Sequence, residues 1–140
     1  MKIQWKIKRF NELLIAELYS VLQLRSEVFV VEQNCVYQDL DGKDEKALHL
    51  IGLFDGKIVA YARLFKPNDY FENASIGRVV IDQNYRDRKW GHEMMQQAIF
   101  GIQQYFGETK ITISAQLYLQ KFYETQGFVK TSEMYLEDDI

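Results

Sequence analysis

One proline, one cysteine and two histidines occur among 140 residues, and positive charge is not in excess. A lone cysteine, Cys35, cannot close an internal disulfide, so packing and polar pairing have to hold the fold. Two histidines and one cysteine scattered along the chain give no metal-ligand spacing, and the run Asp39, Asp41, Asp44 lacks the glutamate of a calcium loop, so no metal is expected. Lys and Arg number 17 against 20 Asp and Glu, a net charge of −3, which excludes bulk attraction to nucleic acid or to an anionic membrane. No apolar run approaches the roughly 18 residues of a membrane-crossing helix, and Met1-Lys2-Ile3-Gln4-Trp5-Lys6 lacks the apolar segment of a signal peptide. A soluble, cytoplasmic protein is the expectation. Few prolines and only eight glycines exclude collagen-like and low-complexity classes. In their place stand 47% hydrophobic and 14% aromatic residues, and a chain of this length forms one domain, 1–140, around one core.

The apolar periods outline the elements. Ile3, Trp5 and Ile7 alternate with Lys2, Gln4, Lys6 and Lys8, the pattern of a half-exposed strand. Asn11 is placed to cap a helix beginning at Glu12, and Leu14, Leu18, Val21, Leu22 and Leu24 follow helical spacing. A second helical stretch through Arg25, Val28 and Phe29 continues or kinks it, and residues 39–46 form a polar loop. Residues 47–54 and 58–65 are nearly apolar on both faces and flank Asp55-Gly56-Lys57, a hairpin whose strands need cover on each side. Residues 76–81 read as a strand, and Met94, Met95, Ala98, Ile99, Ile102 and Tyr105 mark an amphipathic helix from Gly91. A strand at 110–114, a short helix at 117–125 ended by Gly127, and a strand at 128–136 complete the order. Successive strands without a helix between them exclude a doubly wound nucleotide fold. The class is α/β, with a mixed, mainly antiparallel sheet covered by helices on both faces.

The strongest local feature is strand 76–81 running into Asp82-Gln83-Asn84-Tyr85-Arg86-Asp87-Arg88-Lys89-Trp90-Gly91 and then the long helix. This order puts unpaired backbone N–H groups, the positive end of a helix and three cations at one place, an arrangement suited to phosphate. An ordinary solvated basic turn is the alternative, since neither the P-loop pattern nor a dinucleotide fingerprint is present.

Ile76-Gly77-Arg78-Val79-Val80-Ile81, Arg86-x-x-Lys89-x-Gly91, Ile113-Ser114-Ala115-Gln116 and Phe122-Tyr123-Glu124-x-x-Gly127-Phe128 together resemble the GCN5-related N-acetyltransferase (GNAT) superfamily. Leu24-Arg25-x-x-Val28-Phe29-Val30-Val31-Glu32-Gln33 and Tyr37-Gln38-Asp39-Leu40-Asp41-Gly42-Lys43-Asp44 are similar to its ElaA-like branch, and the likeness spans nearly the whole chain. The resemblance implies acetyl-CoA as cosubstrate and direct acetyl transfer to a primary amine of a small molecule or peptide. It places the pyrophosphate at Arg86, Arg88, Lys89, Trp90 and Gly91, and the pantetheine arm along the main chain of Val79, Val80 and Ile81. The superfamily usually has glycine where Lys89 stands; with ordinary helical dihedrals, Lys89 would keep its N–H available and add charge.

By the same resemblance Tyr123 donates a proton to the departing thiolate, and Gln116 touches the CoA arm; the residues alone equally allow an amphipathic core tyrosine and a capping glutamine. The incoming amine must lose a proton. His49 and Glu32 are candidates, with a satisfied core histidine and a plain surface carboxylate as the alternatives. Asp39 and Asp41 could line an electronegative mouth for a cationic amine, or be braced in carboxylate pairs by Arg25 or Arg78. A Cys35–His49 thiol nucleophile has no spacing in its favour. A CoA-binding or protein-interaction module with little catalysis is the alternative function. Relatives in the superfamily usually close the sheet with one more strand, so the resemblance implies a sheet that lacks its last strand, its edge covered locally or by a homodimer contact.

Overall fold

A computed structural model of the chain describes residues 2–113. Among these, five strands form one sheet in the order β1-β2-β3-β4-β5. β1 (Gln4–Arg9) pairs antiparallel with β2 (Leu48–Phe54), Gln4 facing Leu53 and Arg9 facing Leu48. β1 is an edge strand, and its lysines discourage further pairing there. β2 turns into β3 (Lys57–Phe65) through Asp55 and Gly56, whose φ values of 53° and 78° are those of the hairpin turn that matches strand twist. β4 (Ala74–Ile81) is antiparallel to β3 and starts two residues before the strand expected from the sequence. β5 (Ile111–Ile113) is parallel to β4. The architecture is thus a mixed, mainly antiparallel sheet flanked by helices.

One face of the sheet is covered by α1 (Ile15–Arg25) and a π-helical segment, Ser26–Glu32, that continues from it. Val21, Leu24, Val28 and Phe29 pack there against Ile51, Ile58, Tyr61 and Val80. The expected Asn11 cap does not form, because Phe10–Glu12 makes a separate turn and α1 begins three residues after it. Glu17 provides the start signal instead: its carboxylate accepts the Leu14 N–H at 2.8 Å and holds Lys8 at 2.8 Å.

α2 (Gly91–Phe106) covers the opposite face with Met94, Met95, Ala98 and Ile102, as its periodicity requires. Its close seating depends on Gly101, where a Cβ would stand 2.7 Å from Ile7 Cδ1 and 3.2 Å from Leu64 Cδ1. No helix among the described residues is long and apolar enough to cross a membrane. The expected helix at 117–125, the strand at 128–136 and the question of a closing strand lie outside the described residues.

Candidate active site

β4 is the strand that organises the site. Among the described residues its pairing with β5 runs from Ala74–Ile111 to Ile76–Ile113, and β4 itself extends to Ile81. On its other side Gly77 faces Arg63 and Val80 faces Tyr61, so two residues, Arg78 and Val79, stand opposite Ala62 alone. This is a β-bulge, and its first residue, Arg78, has a φ of +50°, uncommon for a side chain of that size. Past the bulge, the main chain of Val79, Val80 and Ile81 has no strand beside it on the β5 side among the described residues.

The turn after β4 is built by Asp82, whose carboxylate accepts the Asn84 N–H at 2.9 Å and whose carbonyl accepts the Tyr85 N–H at 2.9 Å. Tyr85, Trp90 and Phe54 form an aromatic block, with the Tyr85 and Trp90 rings stacked at 5.9 Å. The Arg88 guanidinium lies on this block, 4.9 Å from the Phe54 centroid and 5.3 Å from that of Tyr85. Arg86 is bound at both ends of its guanidinium: Nε donates to the Ile81 carbonyl at 2.9 Å, and the two terminal nitrogens form a fork on Glu32. Lys89 has a φ of +59° and a ψ of +37°, left-handed rather than helical as expected. A side chain in that conformation is strained, so the position favours glycine. Trp90 then opens α2 without a side-chain cap. The dipole end of a 16-residue helix therefore faces the same place as the cationic turn.

The acidic loop takes no part in an open mouth. Arg25, fully buried, donates from Nε to Asp39 at 2.9 Å and from Nη1 to Asp44 at 2.7 Å. Arg63, equally buried, donates to Asp41 at 2.7 Å and to Asp44 at 3.0 Å. Arg78 brings Nε within 2.8 Å of Asp39 and donates to the Asp39 carbonyl at 3.2 Å. Burial alone would raise the Asp44 carboxyl, but the hydrogen bonds and charges of Arg25 and Arg63 overcome this and hold it below the usual carboxylate range. Asp41 is held low in the same sense by Arg63 after a similar opposing contribution from burial. The expectation of an electronegative mouth at Asp39 and Asp41 is corrected here. Three arginines neutralise three aspartates, and the pairs of Arg25 and Arg78 brace the loop.

The sequence matches the acetyltransferase (GNAT) domain family over residues 15–140. It belongs to that family. The protein ElaA of Escherichia coli is 39% identical over 140 residues, covering 99% of this chain and 92% of that protein. The crystal structure of E. coli ElaA matches with a TM-score of 0.90 at 38% identity, covering 97% of this chain and 93% of that one. An acyl-CoA N-acyltransferase from Pseudomonas aeruginosa matches with a TM-score of 0.91 at 40% identity, covering 98% and 95% of the two chains. Membership in the GNAT family, in its ElaA-like branch, makes acetyl-CoA the cosubstrate that the fold implies and acyl transfer the class of chemistry.

Within this GNAT domain Val79, Val80, Ile81, Arg86, Arg88, Lys89, Trp90 and Gly91 form one continuous strand, turn and helix start. Glu32 joins them through Arg86, a pairing across 54 positions that no local pattern announces. His49 stands apart on β2, with β3 between it and β4. It is fully buried; Nε2 donates to the Asp44 carbonyl at 2.9 Å, and Nδ1 accepts the Tyr61 hydroxyl at 2.6 Å. Those partners assign the neutral tautomer, and burial pushes the His49 pKa below its ordinary value. Burial likewise pushes the Tyr61 phenol up, so it keeps the proton it donates. Gln116 and Tyr123 lie outside the described residues. Arg63 escaped the sequence reading; its signal was a lone charge in a strand otherwise apolar on both faces.

Proposed function

We propose that this chain transfers an acetyl group from acetyl-CoA directly to a primary amine of a small molecule or peptide. The observation that carries the reading is the bulge of β4 at Arg78, after which the strand leads through a cationic turn into the N-terminus of the 16-residue α2, where no side chain caps the helix. Bound acetyl-CoA would supply an activated thioester. The main chain of Val79, Val80 and Ile81 on the β5 side offers the alternating donors and acceptors that amide groups of an extended arm require. Residues 86–91 offer the pyrophosphate backbone donors, the helix dipole and the Lys89 ammonium, while Arg86 and Arg88 shape the turn through Glu32 and the aromatic block. Main-chain N–H groups near Val80 polarise the thioester carbonyl, and Tyr123, by the family resemblance, protonates the leaving thiolate.

His49 is bonded at both ring nitrogens, while Glu32 carries the Arg86 fork and stays partly exposed, so of the two candidate bases Glu32 keeps free lone pairs. A cytoplasmic setting and a homodimer contact at the sheet edge belong to the same reading and are checked by fractionation and by sedimentation.

The test is to mix the protein with acetyl-CoA and a panel of polyamines, amino acids, aminoglycosides and peptides with free N-termini, following free thiol. Amine-dependent thiol release is expected, falling about 100-fold or more in Tyr123→Phe as for loss of a positioned acid. Binding of CoA without amine-dependent release would favour a binding module and overturn the proposal.

A further inference from the structure

The bulge of β4 carries a residue that its geometry does not favour. A bulge whose first residue has a positive φ normally has glycine there, because a Cβ strains that conformation. Arg78 holds it at a φ of +50°. Such strain persists where surrounding contacts over-determine the backbone, and the acidic loop supplies those contacts. Arg78 Nε stands 2.8 Å from one Asp39 carboxylate oxygen, and Nη2 donates to the Asp39 carbonyl at 3.2 Å.

Asp39 is itself fixed from the other side. Arg25 Nε donates to its second carboxylate oxygen at 2.9 Å, Arg25 Nη2 to its carbonyl at 3.3 Å, and the Tyr37 hydroxyl to the first carboxylate oxygen at 3.2 Å. Asp39 is buried, so water competes little for these bonds. One aspartate thus ties the strained residue of β4 to the end of α1.

The bulge decides which edge of β4 the following main chain presents. Gly77 faces Arg63, so a regular ladder would set Val79 opposite Tyr61; the extra residue sets Val80 there instead. Main-chain N–H and C=O groups alternate between the two edges of a strand, so this one-residue shift exchanges the edges that Val79, Val80 and Ile81 address. It also brings Val80 into the core with Val21, Leu24 and Tyr61.

We propose that Asp39 and Arg78 are positioning residues for the transfer: their ion pair holds the bulge, and the bulge aims the main-chain N–H groups near Val80 at the thioester carbonyl. In this role neither side chain touches the reacting atoms. This rests on the reading that acetyl-CoA lies along β4.

The experiment binds acetyl-CoA isotopically labelled at the thioester carbonyl and follows the carbonyl stretch by difference infrared spectroscopy, since N–H donors that polarise the carbonyl lower it. Acetyl-CoA affinity by calorimetry and thermal melting are recorded alongside. Wild type should lower the stretch on binding. Arg78→Ala loses the anchor but keeps a Cβ, and Asp39→Asn removes the anchoring charge, so both should lose most of that shift. Glycine accepts a positive φ without an anchor, so Arg78→Gly should keep the shift and should restore it in the Asp39→Asn background. With the amine that releases thiol fastest, kcat should fall about 10-fold or more in Arg78→Ala, as for misaimed donors, and acetyl-CoA affinity should change by less than about 3-fold. An arginine that only braced the loop would make the alanine and glycine variants alike. A full shift in Arg78→Ala or Asp39→Asn, an equal loss in Arg78→Ala and Arg78→Gly, or a wild type that binds acetyl-CoA with no shift would each overturn the inference. Where Arg78→Ala does not fold, Asp39→Asn with and without Arg78→Gly decides in the same way. Failure of wild type to bind acetyl-CoA would instead remove the functional reading itself, and this inference with it.

Discussion

The acidic residues 39–45 and the basic residues 86–89 are both short charged runs in loops, yet the folded chain uses them in opposite ways. The aspartates are closed over buried Arg25 and Arg63 and partly buried Arg78, drawn from α1, β3 and β4, and their charge is met inside the protein. The basic turn stays at the surface, its Arg86 forked on Glu32 and its Arg88 laid on aromatic rings. Lys89 is the cation of the turn that no carboxylate faces among the described residues. Charge density alone therefore did not distinguish a structural clamp from a proposed ligand site. Burial did, since a charge removed from water must be paired, whereas one left in water is free to meet a ligand.

Breaking the clamp should have the largest effect. Asp44→Ala leaves Arg25 and Arg63 each short of a partner, and a loss of about 3–5 kcal/mol is expected from urea unfolding. A loss below about 1 kcal/mol would mean that the cluster is more hydrated than its burial implies.

Acid should act on the clamp region before the turn. His49 is held neutral, its pKa pushed below 6.5 by burial, so only the unfolded chain gains its proton as pH first falls below that value. Asp41 and Asp44 have lowered pKa values, so the stability they contribute is complete above the ordinary carboxylate range and is lost progressively as pH falls from that range down through their lowered values. Both contributions have the same sign, and unfolding free energy should decline from near neutrality downward. His49→Gln should flatten the upper part of that decline, and an unchanged profile would exclude His49 as its source.

The turn should respond more weakly. Lys89→Gly relieves a left-handed residue and should raise stability by about 0.5–1 kcal/mol in thermal or chemical unfolding, while weakening CoA binding by the loss of one charge. A fall in stability would show that the lysine side chain has a structural partner. Smallest of all, Glu32→Ala breaks a pair whose side chains are 28% and 42% exposed, and a change within about 1 kcal/mol that shrinks in salt is expected.

Much of the fold was legible because its signals are local. The 3.6 period of α2, the Asp55-Gly56 turn and the two-sided apolar strands β2 and β3 each declare themselves within a dozen residues. The start of α1 was misplaced because Asn11 is a plausible cap in sequence, whereas Glu17 reaching back to Leu14 competes successfully in space. At the site, the order of strand, basic turn and helix was legible for the same local reason. The left-handed Lys89 and the true partners of Asp39, Asp41 and Asp44 were not, since backbone twist at a turn and long-range pairing leave no periodic trace.

By itself, the sequence determined the element order, the sidedness of the sheet and the membership in the GNAT family, because periodicity and motif spacing are properties of neighbouring residues. Only the tertiary structure decided that the acidic loop is a clamp, that Glu32 meets Arg86, and that Lys89 turns left-handed at the start of α2. Burial and pairing depend on groups brought together from distant parts of the chain, and those meetings exist only once β3, β4 and α1 have packed.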